Sequence, residues 1–254
     1  MRLVDQSPEQ LTDGAAVWLD RFEMRAGDSF GLHDHDVHQL CWSPHGVLSV
    51  EAASQRWSLP PALAMWIPAG VRHDVACARA AHLHSLYVVP DRCPLEWRAP
   101  TVVAVGALLG ELIHHLAGNR AVGAERARAE RFMFDLLQPV TAECAPLRLP
   151  ADPRAAAVAE GLLRRPADGR TLDEWGREVG ASGRTLARQF LAQTGVSFGE
   201  WRTQARVQAA IDLLGAGATT AAVAAAVGYR DPAAFAAVFR RHTGSSPTGF
   251  SRSV

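Results

Sequence analysis

Lysine is missing altogether. All 26 fixed side-chain cations among the 254 residues are arginine, a bias of coding more than of mechanism. Cysteine is scarce: Cys41, Cys77, Cys93 and Cys144 form no paired motif, which reads as reduced thiols in a cytoplasm. No apolar run approaches the roughly 18 residues that a membrane span needs, so no membrane partner is expected. The stretch Met1-Arg-Leu-Val-Asp-Gln-Ser-Pro8 has no signal-peptide core, which again points to the cytoplasm. Net charge is also absent, with 26 basic against 26 acidic side chains.

That zero hides a split. Residues 147–254 hold 14 Arg against 9 Asp and Glu, a net +5, and residues 1–146 carry the compensating −5. A basic C-terminal half suits a polyanionic partner, and the acidic half does not. The composition, 48% hydrophobic and 20% charged, is that of a folded chain with room for one large or two ordinary domains.

The C-terminal half carries one pattern twice, over residues 171–190 and 220–239: a short helix, a glycine turn and a second helix. In the first copy Thr171 and Glu174 make a capping box, and Leu172, Trp175 and Val179 share a helical face. Gly180 ends that helix and Ser182 caps the next. Leu186 and Phe190 then turn inward, which leaves Gly183, Arg184, Ala187 and Arg188 outward. Arginines there suit guanine edges and phosphates. In the second copy Ala224 and Val227 face inward, Gly228-Tyr229 turns, and Asp231-Pro232 opens a helix packed by Phe235 and Phe239. Arg240, Arg241 and His242 close that helix.

These residues, with Gly195, Trp201, Arg206, Ala209, Leu213-Leu214, Gly244 and Ser246-Pro247, resemble the AraC/XylS family of bacterial transcription regulators over roughly residues 148–254. The resemblance implies paired recognition helices on one face of a promoter duplex, joined by a long helix supplied by residues 199–214, with Trp201, Ala205, Ala209 and Leu213 along one stripe. The DNA-contacting set it implies is Ser182, Gly183, Arg184, Thr185, Ala187, Arg188, Arg202, Arg206, Arg230, Ala233, Ala234, Ala237, Arg240 and Arg241. Alanine at 233, 234 and 237 offers a thymine only a methyl contact. Sequence reading is therefore expected at Arg184 and Arg188, with the second unit holding backbone through Arg230, Arg240 and Arg241.

The N-terminal part reads as short strands at 17–24, 30–35, 39–42, 47–52, 55–59, 64–67, 73–76 and 82–89, a sandwich or small barrel. His33 and His35, two apart on a strand, leave one face, and the turn Pro68-Ala-Gly70 brings His73 toward the same interior. With Gly27, Gln39 and Gly46 this spacing resembles the two motifs of the cupin barrels. The expected fold class is thus α+β: a cupin-like β-barrel (jelly roll) with a helical arm, then an all-α double helix-turn-helix domain. His33, His35, Gln39 and His73 are the candidate ligands of a divalent transition metal, Gln39 standing where the cupin motif carries Glu. A metal-free effector pocket, or histidines hydrogen-bonded in the barrel, would use the same residues. His82 and His84 share a strand face, and most of Trp42, Trp57, Trp66 and Tyr87 belong to a core.

Two helical stripes follow. Val102, Val105, Leu109, Leu112 and Leu116 form a coiled-coil-like seam; Ala129, Phe132-Met133, Leu136-Leu137 and Val140 form a broader one. They either pack on their own barrel or make a homodimer interface, and the resemblance favours the dimer. The expected division is a barrel at 1–99, a helical arm at 100–143, a proline-rich linker at 144–153 and a DNA-binding domain at 154–254. The chain thus reads as a cytoplasmic, dimeric regulator, not an enzyme, whose barrel senses a small molecule or metal, with promoter DNA and RNA polymerase as partners. The alternatives are a metal-dependent cupin enzyme carrying a DNA-binding domain, and a constitutive DNA-binding protein whose barrel only dimerises.

Overall fold

The structure is a computed structural model that describes residues 16–117, 123–140 and 146–253. Cys144, the start of the expected linker and the expected signal-free N-terminus lie outside them. The chain divides into two compact units, residues 1–53 with 59–144 and residues 54–58 with 145–254. The first is rich in sheet and the second helical, so the α+β expectation holds.

The first unit contains a five-stranded antiparallel sheet in the order β1 (Val17–Met24), β7 (Ala81–Val88), β2 (His38–Trp42), β5 (Leu63–Ile67), β8 (Thr101–Ala104). A second antiparallel pair joins β3 (Leu48–Ala52) to β6 (His73–Ala76). Strand alternation sorts the side chains. Val17, Leu40, Trp42, Ala64, Trp66, Leu86 and Val88 share one core with helices α1 (Ala107–Ala117) and α2 (Gly123–Leu136). On the opposite face the register aligns Trp18, Tyr87, Gln39 and Ile67 in one row and Asp20, Ser85, Cys41 and Met65 in the next.

Three expectations need correction here. Residues 30–35 form no strand. Gly31 sits at φ 77 and Asp74 accepts from both Ser29 Oγ and Gly31 N, so only isolated bridges form, Ser29 to Ala76 and His33 to His73. Second, the seam begins as sheet: the β-branched run Thr101-Val102-Val103 pairs with β5, and the helix starts only after Gly106. Third, the stripes turn inward. Leu109, Ile113 and Leu116 are buried with Met133, Phe134 and Leu137 in their own unit, while Phe132 is exposed. A buried ion pair holds α2 to the sheet. Arg126 Nε donates to Glu130 Oε1 at 2.9 Å, Glu130 accepts from the Ala16 amide at 2.9 Å, and Arg126 donates to the Val17 carbonyl at 2.6 Å.

In the second unit the proline-rich stretch is not wholly irregular. β4 (Gln55–Leu59), through residues 55 and 56, pairs with β9 (Leu147–Arg148), and Trp201 Nε1 donates to the Arg148 carbonyl at 2.7 Å. Seven helices follow among the described residues: α3 (Pro153–Arg164), α4 (Leu172–Val179), α5 (Gly183–Thr194), α6 (Phe198–Gly215), α7 (Thr220–Ala226), α8 (Pro232–Thr243) and α9 (Pro247–Ser253). The caps form as read: Thr171 and Glu174 close a capping box, Ser182 accepts from Thr185 N, and Asp231 from Ala233 N and Ala234 N. Gly180 ends α4 in the left-handed region. The single stripe expected on α6 gives way to burial at Phe198, Trp201, Ala205, Val207, Ala210, Ile211 and Leu214, because this helix packs against α3 and α5 and also against α7, α8 and α9. Ala209 and Leu213 are only half-buried.

Candidate functional site

Of the two candidate sites, the first lies on the inner sheet face. His33, His35 and His73 bring their ligand atoms within 4.8 Å of one another. The ring nitrogen Nδ1 of each meets a backbone carbonyl: Gly31 at 2.8 Å, Val37 at 2.7 Å and Val71 at 2.8 Å. Those bonds commit Nδ1–H and leave the Nε2 lone pairs converging. Gln39, 3% exposed, places Oε1 at 2.9 Å from His73 Nε2 and 3.1 Å from His35 Nε2. Its own Nε2 donates to Ser85 Oγ at 2.8 Å. Burial pushes His73 down to about 4, against the opposing Val71 bond, so its imidazole is neutral and able to ligate. Three imidazole nitrogens and one amide oxygen suit a divalent transition metal. All four sequence-predicted ligands come together although residues 30–35 are not a strand.

Sequence reasoning missed Ser85. Nothing marks it in the sequence; only the pairing of β7 with β2 brings its hydroxyl to Gln39. Tyr87 is placed beside the cluster, its ring 5.6 Å from that of His35 and stacked on Trp18 at 5.1 Å. His84 points to the other face, packed between Trp42 and His114, with Nδ1 buried and unpartnered among the described residues. Burial first, then His114, pushes it down to about 4.

The second site is the outer face of the helical unit. Arg184, Ala187 and Arg188 are exposed on α5, as are Ala233, Ala234, Ala237, Arg240 and Arg241 on α8 and Arg230 before it. Ser182 and Thr185 share a hydroxyl contact of 2.8 Å at the α5 N-terminus. Gly183, expected to point outward, is instead buried against Asp173. Arg202 and Arg206 differ from the outward set. Arg202 donates to the Arg170 carbonyl at 3.2 Å and lies over the Phe198 ring. Arg206 donates to the Pro166 carbonyl at 3.0 Å and lies over the Tyr229 ring, and burial lowers its pKa. Both brace the helices from inside. Leu191, 57% exposed on α5, went unnoticed because it continues the i, i+3, i+4 outward series from Arg184 rather than the apolar stripe.

A helix pair repeated twice, each second helix presenting an open face, joined to a sheet domain with an inner histidine site, defines a regulator with separate DNA-binding and ligand-binding parts. Comparison with known proteins agrees. A helix-turn-helix domain family matches residues 175–253 and an AraC-like ligand-binding domain family matches residues 20–137. The chain is 28% identical over 219 residues to the HTH-type transcriptional regulator NimR of Escherichia coli, covering 85% of this chain and 80% of that protein. It is 45% identical over 102 residues to the HTH-type transcriptional regulator RipA of Corynebacterium glutamicum, covering 40% of this chain and 31% of that one. Among solved structures it aligns with ToxT of Vibrio cholerae bound to an unsaturated fatty acid, at 11% identity and a TM-score of 0.39, over 93% of this chain and 95% of that one. The chain is an AraC-family helix-turn-helix transcriptional regulator with an N-terminal ligand-binding domain.

Proposed function

We propose that this chain is a cytoplasmic regulator that binds promoter DNA through α5 and α8 and is controlled by a small effector held at the histidine site. The observation that carries the DNA reading is the exposed Arg184–Arg188 face at the start of a capped α5, packed by Leu186 and Phe190 so that it projects outward. In this reading Arg184 and Arg188 read base edges, Ser182 and Thr185 hold phosphate near the helix N-terminus, and Arg230, Arg240 and Arg241 hold backbone around the methyl face of Ala233, Ala234 and Ala237. The two helices enter successive major grooves about 34 Å apart. Arg202 and Arg206 act by holding the unit together.

His33, His35, His73 and Gln39 would hold a divalent transition metal, which would supply a Lewis acid for capture of the effector. A regulatory role is favoured over an enzymatic one because, among the described residues, no carboxylate or thiol joins the cluster to serve as base or nucleophile. The chain acts as a homodimer, with the exposed Leu108 and Phe132 of α1 and α2 as the contact positions, since the buried seam is committed to its own core. RNA polymerase is the further partner when it acts at a promoter.

Selection of genomic fragments by the purified full-length protein tests the central reading. Enrichment of one sequence motif, with affinity falling steeply as salt rises, is expected. Uniform recovery of all fragments would overturn it.

A further inference from the structure

We infer that the effector is a small organic anion that binds together with the metal ion, because Gln39 makes the ligand set neutral. This rests on the metal reading proposed above and goes one step beyond it.

The argument begins with hydrogens. The Nδ1 atoms of all three imidazoles are bonded to carbonyl oxygens, so each Nε2 offers a lone pair. The Gln39 amide is held from behind by Ser85, which is fully buried, its Nε2 donating to Ser85 Oγ and its oxygen turned toward those lone pairs. Acceptors therefore meet acceptors at 2.9 and 3.1 Å with no proton between them. A cation at their centre resolves that conflict; without one, the amide would turn over, its NH2 donating to the imidazoles while the Ser85 hydroxyl donates to its oxygen.

The charge follows. A divalent ion on three neutral imidazoles and a neutral amide keeps its full double charge. Among the described residues no Asp, Glu or Cys joins the cluster. Asp34 acts on His73 but is exposed, and Asp20 is half-buried on the same sheet face, acting on Tyr87. Neither stands among the ligand atoms. An uncompensated charge held out of water is costly, so an anion that coordinates the metal would recover most of that cost. The organic part of such an anion has apolar company: Phe30 lies 6.4 Å from the His33 ring and stacks edge-on with Phe22 at 5.1 Å. A small aromatic or aliphatic carboxylate fits both requirements. Gln39 is thus a specificity residue, and Ser85 is its positioning residue.

Cobalt(II) and benzoate test this on the full-length protein, with visible absorption as the readout. In the wild type, benzoate is expected to shift the cobalt bands saturably and to tighten cobalt binding by about tenfold or more. Gln39→Glu supplies the missing charge and should bind cobalt without that gain. Ser85→Ala should weaken cobalt binding roughly 10–100-fold, with Ser85→Thr restoring it. Cobalt bands that ignore benzoate in the wild type, or an equal benzoate gain in Gln39→Glu, would overturn the inference while leaving the metal reading intact. Failure of the wild type to bind cobalt with or without benzoate removes the metal reading and this inference with it. The wild-type titration decides the matter even if a variant misfolds.

Discussion

Replacing Gly176 by alanine should destabilise the helical unit, although alanine is ordinarily the better helix residue. Gly176 sits inside α4, where Gly→Ala normally gains about 1 kcal/mol. Here the added methyl would overlap the Ala181 carbonyl oxygen and stand 3.3 Å from its carbon and 3.4 Å from Gly183 N. That peptide cannot easily withdraw. Ala181 N donates to the Gly176 carbonyl at 2.9 Å, and the next residue, Ser182, caps α5 through Thr185 N at 3.1 Å. Forcing a methyl into a packed contact costs about 1–3 kcal/mol, and losing the turn bond adds roughly 0.5–1.5 kcal/mol. The net expectation is a loss of about 1–3 kcal/mol, together with a displaced α5 and weaker DNA binding. Urea unfolding followed by tryptophan fluorescence reads the stability, since Trp175 and Trp201 lie in this unit's core. Gly169→Ala is the control: nothing lies within 4 Å of a methyl there, and it should be neutral or stabilising by about 0.4–1 kcal/mol. A Gly176→Ala protein as stable as the wild type would refute the claim that backbone proximity fixes this turn.

Four further outcomes are expected. Arg184→Ala or Arg188→Ala should relax sequence preference and cost about 1–3 kcal/mol, checked by fluorescence anisotropy on selected and scrambled duplexes; unchanged discrimination would reassign the reading residues. His33→Ala combined with His73→Ala should abolish metal uptake, as elemental analysis of untagged protein will show; retained metal would place the site elsewhere. Leu109→Asp should unfold the sheet unit rather than merely separate protomers, because Leu109 is 3% exposed in that unit's core; burying a charge in place of a core leucine costs at least about 2–5 kcal/mol, and a well-folded monomer in sedimentation and thermal melting would show the leucine to be an interface residue. His84, buried and neutral in the fold, takes up a proton more readily when unfolded, so its contribution to stability is fully present above 6.5 and is lost as pH falls from 6.5 toward about 4. His84→Gln should flatten that part of the stability–pH curve, and an unaltered curve would exclude His84 as its source.

How far the sequence could be read depended on whether a feature is local. Caps, turns and helix faces are set by neighbours a few residues apart, so the capping box of Thr171 and Glu174 and the start at Asp231-Pro232 could be read directly. The metal candidates were legible for a similar reason: His33, His35 and Gln39 fall within seven residues, and Pro68-Ala-Gly70 announces the turn that returns His73. What stayed hidden depends on register between distant strands. Ser85 reaches Gln39 only because β7 lies beside β2, and Arg126 and Glu130 are charged residues on a helix until the edge of β1 gives their charges backbone partners. The periodicity of residues 102–116 was genuine, yet it ran across a strand and a helix, and both used it to cover the same sheet. A period of alternating three and four residues records which side chains are buried. It does not record whether the surface that buries them belongs to another copy of the chain, and here Leu109, Ile113 and Leu116 already spend that face on their own core, which moves any dimer contact to outward positions such as Leu108.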